Sequence, residues 1–105
     1  MTPEKKVQNS LIKYLTELKT SGKKIFFERR QAGGYSYKKG IPDLYAVVYG
    51  LHVEIEVKQK FGSLSTMQEK FRDMCKKNDI LWICCDDVSQ LKEFIEKIME
   101  SCDNR

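Results

Sequence analysis

The chain has 105 residues, 41% of them hydrophobic and 32% charged, which is typical of one soluble globular domain spanning residues 1–105 and argues against disorder. No apolar run approaches the roughly 20 residues that a membrane-spanning helix needs, and the N-terminal segment lacks the apolar core of a secretion signal. Lys and Arg total 19 against 15 for Asp and Glu, and the resulting net charge of +4 is compatible with a nucleic-acid partner without establishing one.

The N-terminal part of the chain is predicted to form a helix, a strand and a loop. Thr2 can cap a helix that has proline at its first position and that ends near Thr20. Apolar residues recur along it at helical spacing: Val7, Leu11, Tyr14, Leu15 and Leu18. A short apolar strand follows at 25–27, and the three glycines within 31–40 indicate a loop.

The middle of the chain is predicted to form a β-hairpin. Its strands span 44–49 and 52–58, with Gly50 in the turn between them. Side chains alternate along the second strand, and one face is apolar: Val53, Ile55 and Val57. The opposite face is polar: His52, Glu54, Glu56 and Lys58. One face is therefore expected to pack on a core while the other presents charged groups.

The C-terminal part is predicted to form a helix, a buried strand and a last helix. Ser65 and Gln68, three residues apart, form a capping box that opens the first of these helices. Its predicted apolar stripe is Met67, Phe71, Met74 and Cys75. The apolar run 80–85 is typical of a strand covered on both faces, and Asp87 can cap the last helix. The order α-β-β-β-α-β-α predicts an α/β (α+β) sandwich with a mixed sheet.

The four cysteines argue against a zinc site. None belongs to a C-x-x-C pair, and the single histidine, His52, is distant from them in sequence. Buried thiols in a reduced, intracellular protein are the simpler interpretation, so we expect a cytoplasmic location. Cys84 and Cys85 lie inside an apolar run and are expected to pack in the core.

Three charged residues of the hairpin form a candidate catalytic group. Asp43 stands where the first strand begins, and Glu56 and Lys58 share one face of the second. The hairpin can bring both carboxylates to one end of the sheet, where they repel unless a cation lies between them. Carboxylate oxygens suit Mg²⁺ or Mn²⁺. Phosphodiester hydrolysis needs such parts: a metal that activates water and polarises the phosphate, and a cation that offsets developing charge.

These residues belong to a longer pattern that comprises a first-helix Glu, a G-x-P-D segment, an E-x-K strand and a downstream Gln: Glu4, Gly40, Ile41, Pro42, Asp43, Glu56, Val57, Lys58 and Gln68. The pattern resembles the PD-(D/E)xK nuclease superfamily, and within it the virus-type replication-repair nuclease (VRR-NUC) family. The likeness runs from about Glu4 to Ile83. P-D and E-x-K are each common alone, whereas their joint order on a hairpin is much more specific.

The resemblance implies a restriction-endonuclease-like fold and metal-dependent hydrolysis of DNA. Asp43 and Glu56 would be metal ligands, with the Val57 carbonyl as a third. Lys58 would stabilise the transition state or orient the attacking water. Glu4 and Gln68, the remaining members of the pattern, would support the metal and its waters.

Partners are also suggested by the resemblance. Stand-alone members of the family look like phage or prophage junction resolvases, so we expect a homodimer that cuts four-way (Holliday) junctions in the host cytoplasm. The candidate interface residues are Ile12, Phe61 and Leu64. Basic and aromatic residues in and beside the glycine-rich loop are expected to contact DNA: Arg29, Arg30, Tyr35, Tyr37, Lys38 and Lys39.

Most of these residues have a structural alternative as well. Asp43 can start a turn after proline, Glu4 can be an acid favoured by the helix dipole, and Lys58 can protect an edge strand. Gln68 can serve the capping box alone. The alternative functions are a catalytically inactive DNA-binding or adaptor module of the same fold, a flap or single-strand nuclease, and an RNA-directed nuclease.

Overall fold

The structure, a computed structural model, describes residues 1–30 and 40–103. Seven elements follow one another along the chain: α1 (Pro3–Thr20), β1 (Ile25–Arg29), β2 (Leu44–Val48), β3 (Leu51–Val57), α2 (Thr66–Lys77), β4 (Leu81–Cys85) and α3 (Val88–Asp103). This is the predicted order of helices and strands. The first strand continues through Arg29, two residues beyond its predicted end, because it pairs with the full length of β2.

Helix starts are capped at the positions that the sequence indicates. The Thr2 hydroxyl accepts a hydrogen bond from the amide three residues later, at 3.2 Å. At the start of α2 the Ser65 hydroxyl accepts from the Gln68 amide, and the Gln68 side chain accepts from the Ser65 amide. Each bond satisfies an amide that has no partner within the helix.

The four strands form one mixed sheet in the order β1-β2-β3-β4. Neighbours are antiparallel from β1 to β3, and β4 lies parallel to β3. Tyr49 and Gly50 make the two-residue turn of the hairpin with φ of 52° and 85°. Two consecutive positive φ values are those of a type I′ turn, whose twist matches that of the strands it joins.

The main core lies between one face of the sheet and the helices α1 and α3. Every second side chain of β2 and β3 enters it, and the helices contribute the rest: Leu11, Tyr14, Leu15, Ile25, Leu44, Ala46, Val48, Val53, Ile55, Val57, Cys85, Leu91 and Ile95. Helix α2 packs against β4 on the other face, where Cys75 is buried. Residues 1–30 and 40–103 include no helix that is both long and apolar enough to span a membrane.

The structure corrects two predictions about burial. Met67 and Met74, placed by the sequence in the stripe of α2, are 44% and 41% exposed. Helix α2 rests against a single edge strand, so it buries only a narrow line around Cys75. Strand β4 is less buried than predicted: it contacts α2 and α3, but it is an edge strand, and four of its five residues, Cys84 among them, are half-buried.

Candidate active site

Asp43 and Glu56 lie at the same end of the sheet. The last paired residues of β2 and β3 at this end are Leu44 and Ile55, so the next residues in line are Asp43 and Glu56. Asp43 is exposed to solvent, whereas Glu56 is only 6% exposed. The hairpin therefore brings one exposed and one buried carboxylate to the same end of the sheet.

Both carboxylates open into a cleft of about 240 Å³ between the start of α1 and the sheet, lined by Thr2, Glu4, Lys5, Gln8, Asp43, Glu56 and Val57. The sequence analysis missed Thr2, Lys5 and Gln8 as cleft residues. The Lys5 ammonium donates to Gln8 Oε1 at 3.0 Å, and Gln8 is buried. A signal was present, since Gln8 is a polar residue one helical turn after Glu4, at the edge of the apolar stripe.

The Glu56 carboxylate has one satisfied and one unsatisfied oxygen. Its Oε2 accepts from Gln68 Nε2 at 3.4 Å, while its Oε1 is buried and has no hydrogen-bond partner among the described residues. Burial raises the pKa of this carboxyl to about 7; the charge of Lys58 opposes the rise, and those of Asp43 and Glu4 add to it. A buried oxygen with no partner indicates a position where a cation or proton is held.

Gln68 serves the helix cap and the site at once. Its Oε1 accepts from the Ser65 amide at 2.8 Å, which leaves its Nε2 directed at Glu56. The two interpretations of this residue, structural and functional, are therefore compatible. Capping holds the amide group of Gln68 in place, and the same group reaches the Glu56 carboxylate.

Gly40 brings the segment that leads to Asp43 against the start of α2. Its φ is +91°, and a Cβ built there would lie 2.4 Å from the Met67 carbonyl oxygen and 3.0 Å from the Gln68 nitrogen. No side chain fits in this space because the neighbouring atoms belong to backbone. The glycine of the G-x-P-D segment thus permits a close approach that places Asp43 and Gln68 beside the same cleft.

Arg30 was predicted to contact DNA, but its side chain is bound within the protein. Its guanidinium donates to both carboxylate oxygens of Glu54 at 2.7 and 2.8 Å and to the Pro42 carbonyl at 2.7 Å. His52 also contacts Glu54, and the Tyr45 ring lies 4.7 Å below the guanidinium. Burial alone would raise the pKa of Glu54, but its hydrogen bonds to Arg30 and His52 outweigh burial and lower it, and the bond to Glu54 raises the pKa of Arg30.

Comparison with known proteins identifies the fold of this chain through one similar solved structure. No family model matches the chain, and no curated protein matches it. A solved structure titled "VRR_NUC domain" is similar to this chain with a TM-score of 0.72 and 19% sequence identity, covering 91% of this chain and 97% of the other. The chain has the VRR-NUC fold. This confirms the predicted fold class, a mixed sheet flanked by helices in the order α-β-β-β-α-β-α.

Within the VRR-NUC fold, the residues of the predicted pattern gather around the cleft, and their roles stay predictions. Asp43, Glu56, Val57 and Glu4 line it, Gln68 contacts Glu56, and Lys58 is half-buried with its charge acting on Glu56. Of the expected DNA contacts, Arg29 is exposed at the end of β1. The others apart from Arg30 lie outside the described residues: Tyr35, Tyr37, Lys38 and Lys39.

The carboxylates that line the cleft do not form a metal site of three side chains. Across 1–30 and 40–103 no three acidic, histidine or cysteine side chains converge in that way. Glu4 lines the same cleft as Asp43 and Glu56 from the first turn of α1, where it is exposed to solvent. Since Mg²⁺ keeps several waters and takes one or two carboxylates from a protein, this pair and the Val57 carbonyl suffice as donors.

We expect the buried Glu56 to make stability fall as pH rises. Its folded pKa of about 7 lies above the ordinary 4.5, so the native state retains a proton that the unfolded state has lost between these values. The free energy of unfolding should therefore decline by about 3 kcal/mol from pH 4.5 to pH 8 relative to Glu56→Gln. Urea unfolding of both proteins across this range measures the difference, and a constant difference would contradict the prediction.

Proposed function

We propose that this chain is a metal-dependent nuclease that hydrolyses DNA, with its active site in the cleft between α1 and the sheet. One observation carries the proposal: Glu56, whose buried Oε1 has no hydrogen-bond partner among the described residues, lines that cleft together with Asp43. Two carboxylates in one cleft repel each other, and a cation held between them would relieve that repulsion. Such a pair is costly for stability and is therefore typical of a functional site.

The residues present fit Mg²⁺ or Mn²⁺. The available donors are oxygens, namely the carboxylates of Asp43 and Glu56 and the Val57 carbonyl, and hard divalent cations prefer such ligands. Exposed Glu4 can act on the ion through water. A divalent cation in this position supplies Lewis acidity, which polarises a phosphoryl oxygen and makes water more acidic.

Lys58 and Gln68 would act on the phosphate and on the metal ligand Glu56, respectively. Lys58 follows Glu56 by two residues, and its backbone amide is fixed by a hydrogen bond to the Cys85 carbonyl at 3.0 Å. Its ammonium can therefore stabilise charge that develops on the phosphate in the transition state. Gln68, anchored by the helix cap, holds the second oxygen of Glu56 and so fixes the direction of its first.

The proposed substrate is branched DNA, with the four-way junction favoured, and the proposed active form is a two-fold homodimer in the cytoplasm. Phe61 supports a second copy as partner, because it is 97% exposed with a φ of 65°. Ile12 does not, since the structure packs it against the core. A two-fold dimer presents two active sites to the opposed strands of a symmetric junction.

The deciding experiment is a panel of labelled DNA structures incubated with Mg²⁺, Mn²⁺ or EDTA: duplex, flap, fork and four-way junction. We expect cleavage that requires metal and is greatest for the junction, together with a dimer by light scattering. DNA binding without cleavage in either metal would instead favour the inactive adaptor of the same fold. Cleavage of flaps by a strict monomer would exclude the resolvase and leave the nuclease.

Lys58 is expected to govern the rate more than metal binding. One electrostatic contact of this kind contributes about 3 kcal/mol in the transition state, so Lys58→Met should cut at least about a hundredfold more slowly. Its affinity for Mn²⁺, measured by calorimetry, should stay near that of the wild type. Lys60→Met is the matched control, because Lys60 is an exposed lysine two residues further along. Lost Mn²⁺ binding in Lys58→Met would assign the lysine a structural role.

A further inference from the structure

The segment that carries Asp43 is held by Arg30, the residue that follows β1. The amide of Arg30 donates to the Asp43 carbonyl at 2.6 Å, and its guanidinium donates to the Pro42 carbonyl at 2.7 Å. The carbonyls on either side of the Asp43 Cα are thus both bound by Arg30. Pro42 is fully buried and has no amide hydrogen, so its carbonyl is the one backbone group by which it can be anchored.

The same guanidinium is fixed at its other end by Glu54. The two side chains form parallel hydrogen bonds at 2.7 and 2.8 Å, which is the bidentate geometry that sets an arginine's orientation most strongly. Glu54 is 6% exposed and lies two residues before Glu56 on the same face of β3. Arg30 therefore spans β2 and connects the backbone at Asp43 to the strand that carries the other carboxylate.

We propose that Arg30 is a positioning residue that sets Asp43 at its working place opposite Glu56, and that it is not a contact for DNA phosphate. This inference rests on the proposed nuclease function. The guanidinium is only one-third exposed, and three hydrogen bonds within the protein together with the Tyr45 ring already occupy it. Glu54 acts with it, holding the guanidinium against the Pro42 carbonyl.

Arg30→Lys is the informative substitution. Lysine keeps the positive charge beside buried Glu54 but lacks the planar fork that reaches Glu54 and the Pro42 carbonyl together. Because a displacement of about 1 Å in an active site can cost a hundredfold in rate, we expect kcat to fall between tenfold and a hundredfold. KM, and the DNA Kd measured in EDTA by fluorescence anisotropy, should stay within about twofold of the wild type.

Two further variants control this result. Arg72→Lys makes the same chemical change in an arginine of exposed ion pairs on α2 and should leave kcat unchanged. The double variant Arg30→Met with Glu54→Met removes both members of the ion pair, so Glu54 is not left buried without its partner. It should show a lower kcat with an unchanged KM, as Arg30→Lys does, and should still unfold in one cooperative thermal transition.

Amide hydrogen exchange tests the positioning without any cleavage. In Arg30→Lys we expect the backbone amide of residue 30, which donates to the Asp43 carbonyl, to exchange at least about tenfold faster. The amide of Lys58, which donates to the Cys85 carbonyl, should keep its protection. Unchanged exchange combined with weaker DNA binding, of the kind expected from Arg29→Met, would overturn the inference in favour of a phosphate contact. If the wild type cuts no DNA, the nuclease proposal fails and the exchange result alone decides whether Arg30 positions Asp43.

Discussion

Glu56→Gln is expected to abolish DNA cleavage and at the same time raise the melting temperature at pH 8. The glutamine keeps the shape of the side chain and removes the buried charge, whose pKa near 7 reflects an unfavourable ionised state. Relief of about 3 kcal/mol corresponds to a shift of roughly 10 °C or more in a domain of this size. The loss of a metal-binding oxygen anion should lower the cleavage rate by about a thousandfold or more.

Thermal melts at pH 5 and pH 8, followed by cleavage assays with Mg²⁺ and Mn²⁺, measure both effects in one protein. The gain in melting temperature should shrink at pH 5, because Glu56 is then protonated in the wild type as well. Asp43→Asn should lose cleavage too, with a smaller stability change since Asp43 is exposed. Glu69→Gln, at an exposed carboxylate of α2, is the control and should cut normally. Cleavage near the wild-type rate by Glu56→Gln would end the assignment of the site.

Gly40→Ala is expected to be the most destabilising single-methyl change at the glycines whose surroundings the structure describes. Its Cβ would lie 2.4 Å from the Met67 carbonyl oxygen and 2.5 Å from the carbonyl carbon, and backbone atoms at the start of a capped helix cannot move aside freely. The positive φ of +91° adds strain for any residue with a side chain. Together these effects should lower the free energy of unfolding by about 3 kcal/mol.

Gly22→Ala separates the two causes. Gly22 has nearly the same φ, +90°, but nothing lies within 4 Å of a Cβ built there, so it suffers only the conformational cost of about 1 kcal/mol. Urea unfolding of the two variants at pH 7 gives the difference that is due to the contact with α2. Equal destabilisation by both would show that the close approach of Gly40 and Met67 is not maintained in solution.

Much of the local structure could be predicted because it depends on residues that are close in sequence. Thr2 and Ser65 cap their helices through bonds that span three residues, and the hairpin turn requires only Tyr49 and Gly50. Alternation along β3 then determines that Glu56 faces away from the core. Given the hairpin, the approach of Asp43 and Glu56 follows from counting residues along two paired strands.

Other properties of the site depend on how distant segments pack. The cleft exists because the first turn of α1 lies over the sheet end, which brings in Lys5 and Gln8 from far along the chain. From its sequence Arg30 resembles a free basic residue beside a loop. Only the position of Glu54, two strands away, makes it a member of a partly buried ion pair. Long-range pairing of this kind leaves no periodic signal in a single sequence.

For α2, too, the sequence predicts the helix, but tertiary packing decides how much of it is buried. The sequence determines that 66–77 is helical and where it begins, but it overestimates the apolar face by including Met67 and Met74. How many residues a helix buries depends on the width of the surface it meets, and α2 meets only the edge strand β4. The sequence by itself therefore determined the elements, their order and the two carboxylates. The tertiary structure decided which neighbours surround them, because those contacts join residues far apart in the chain.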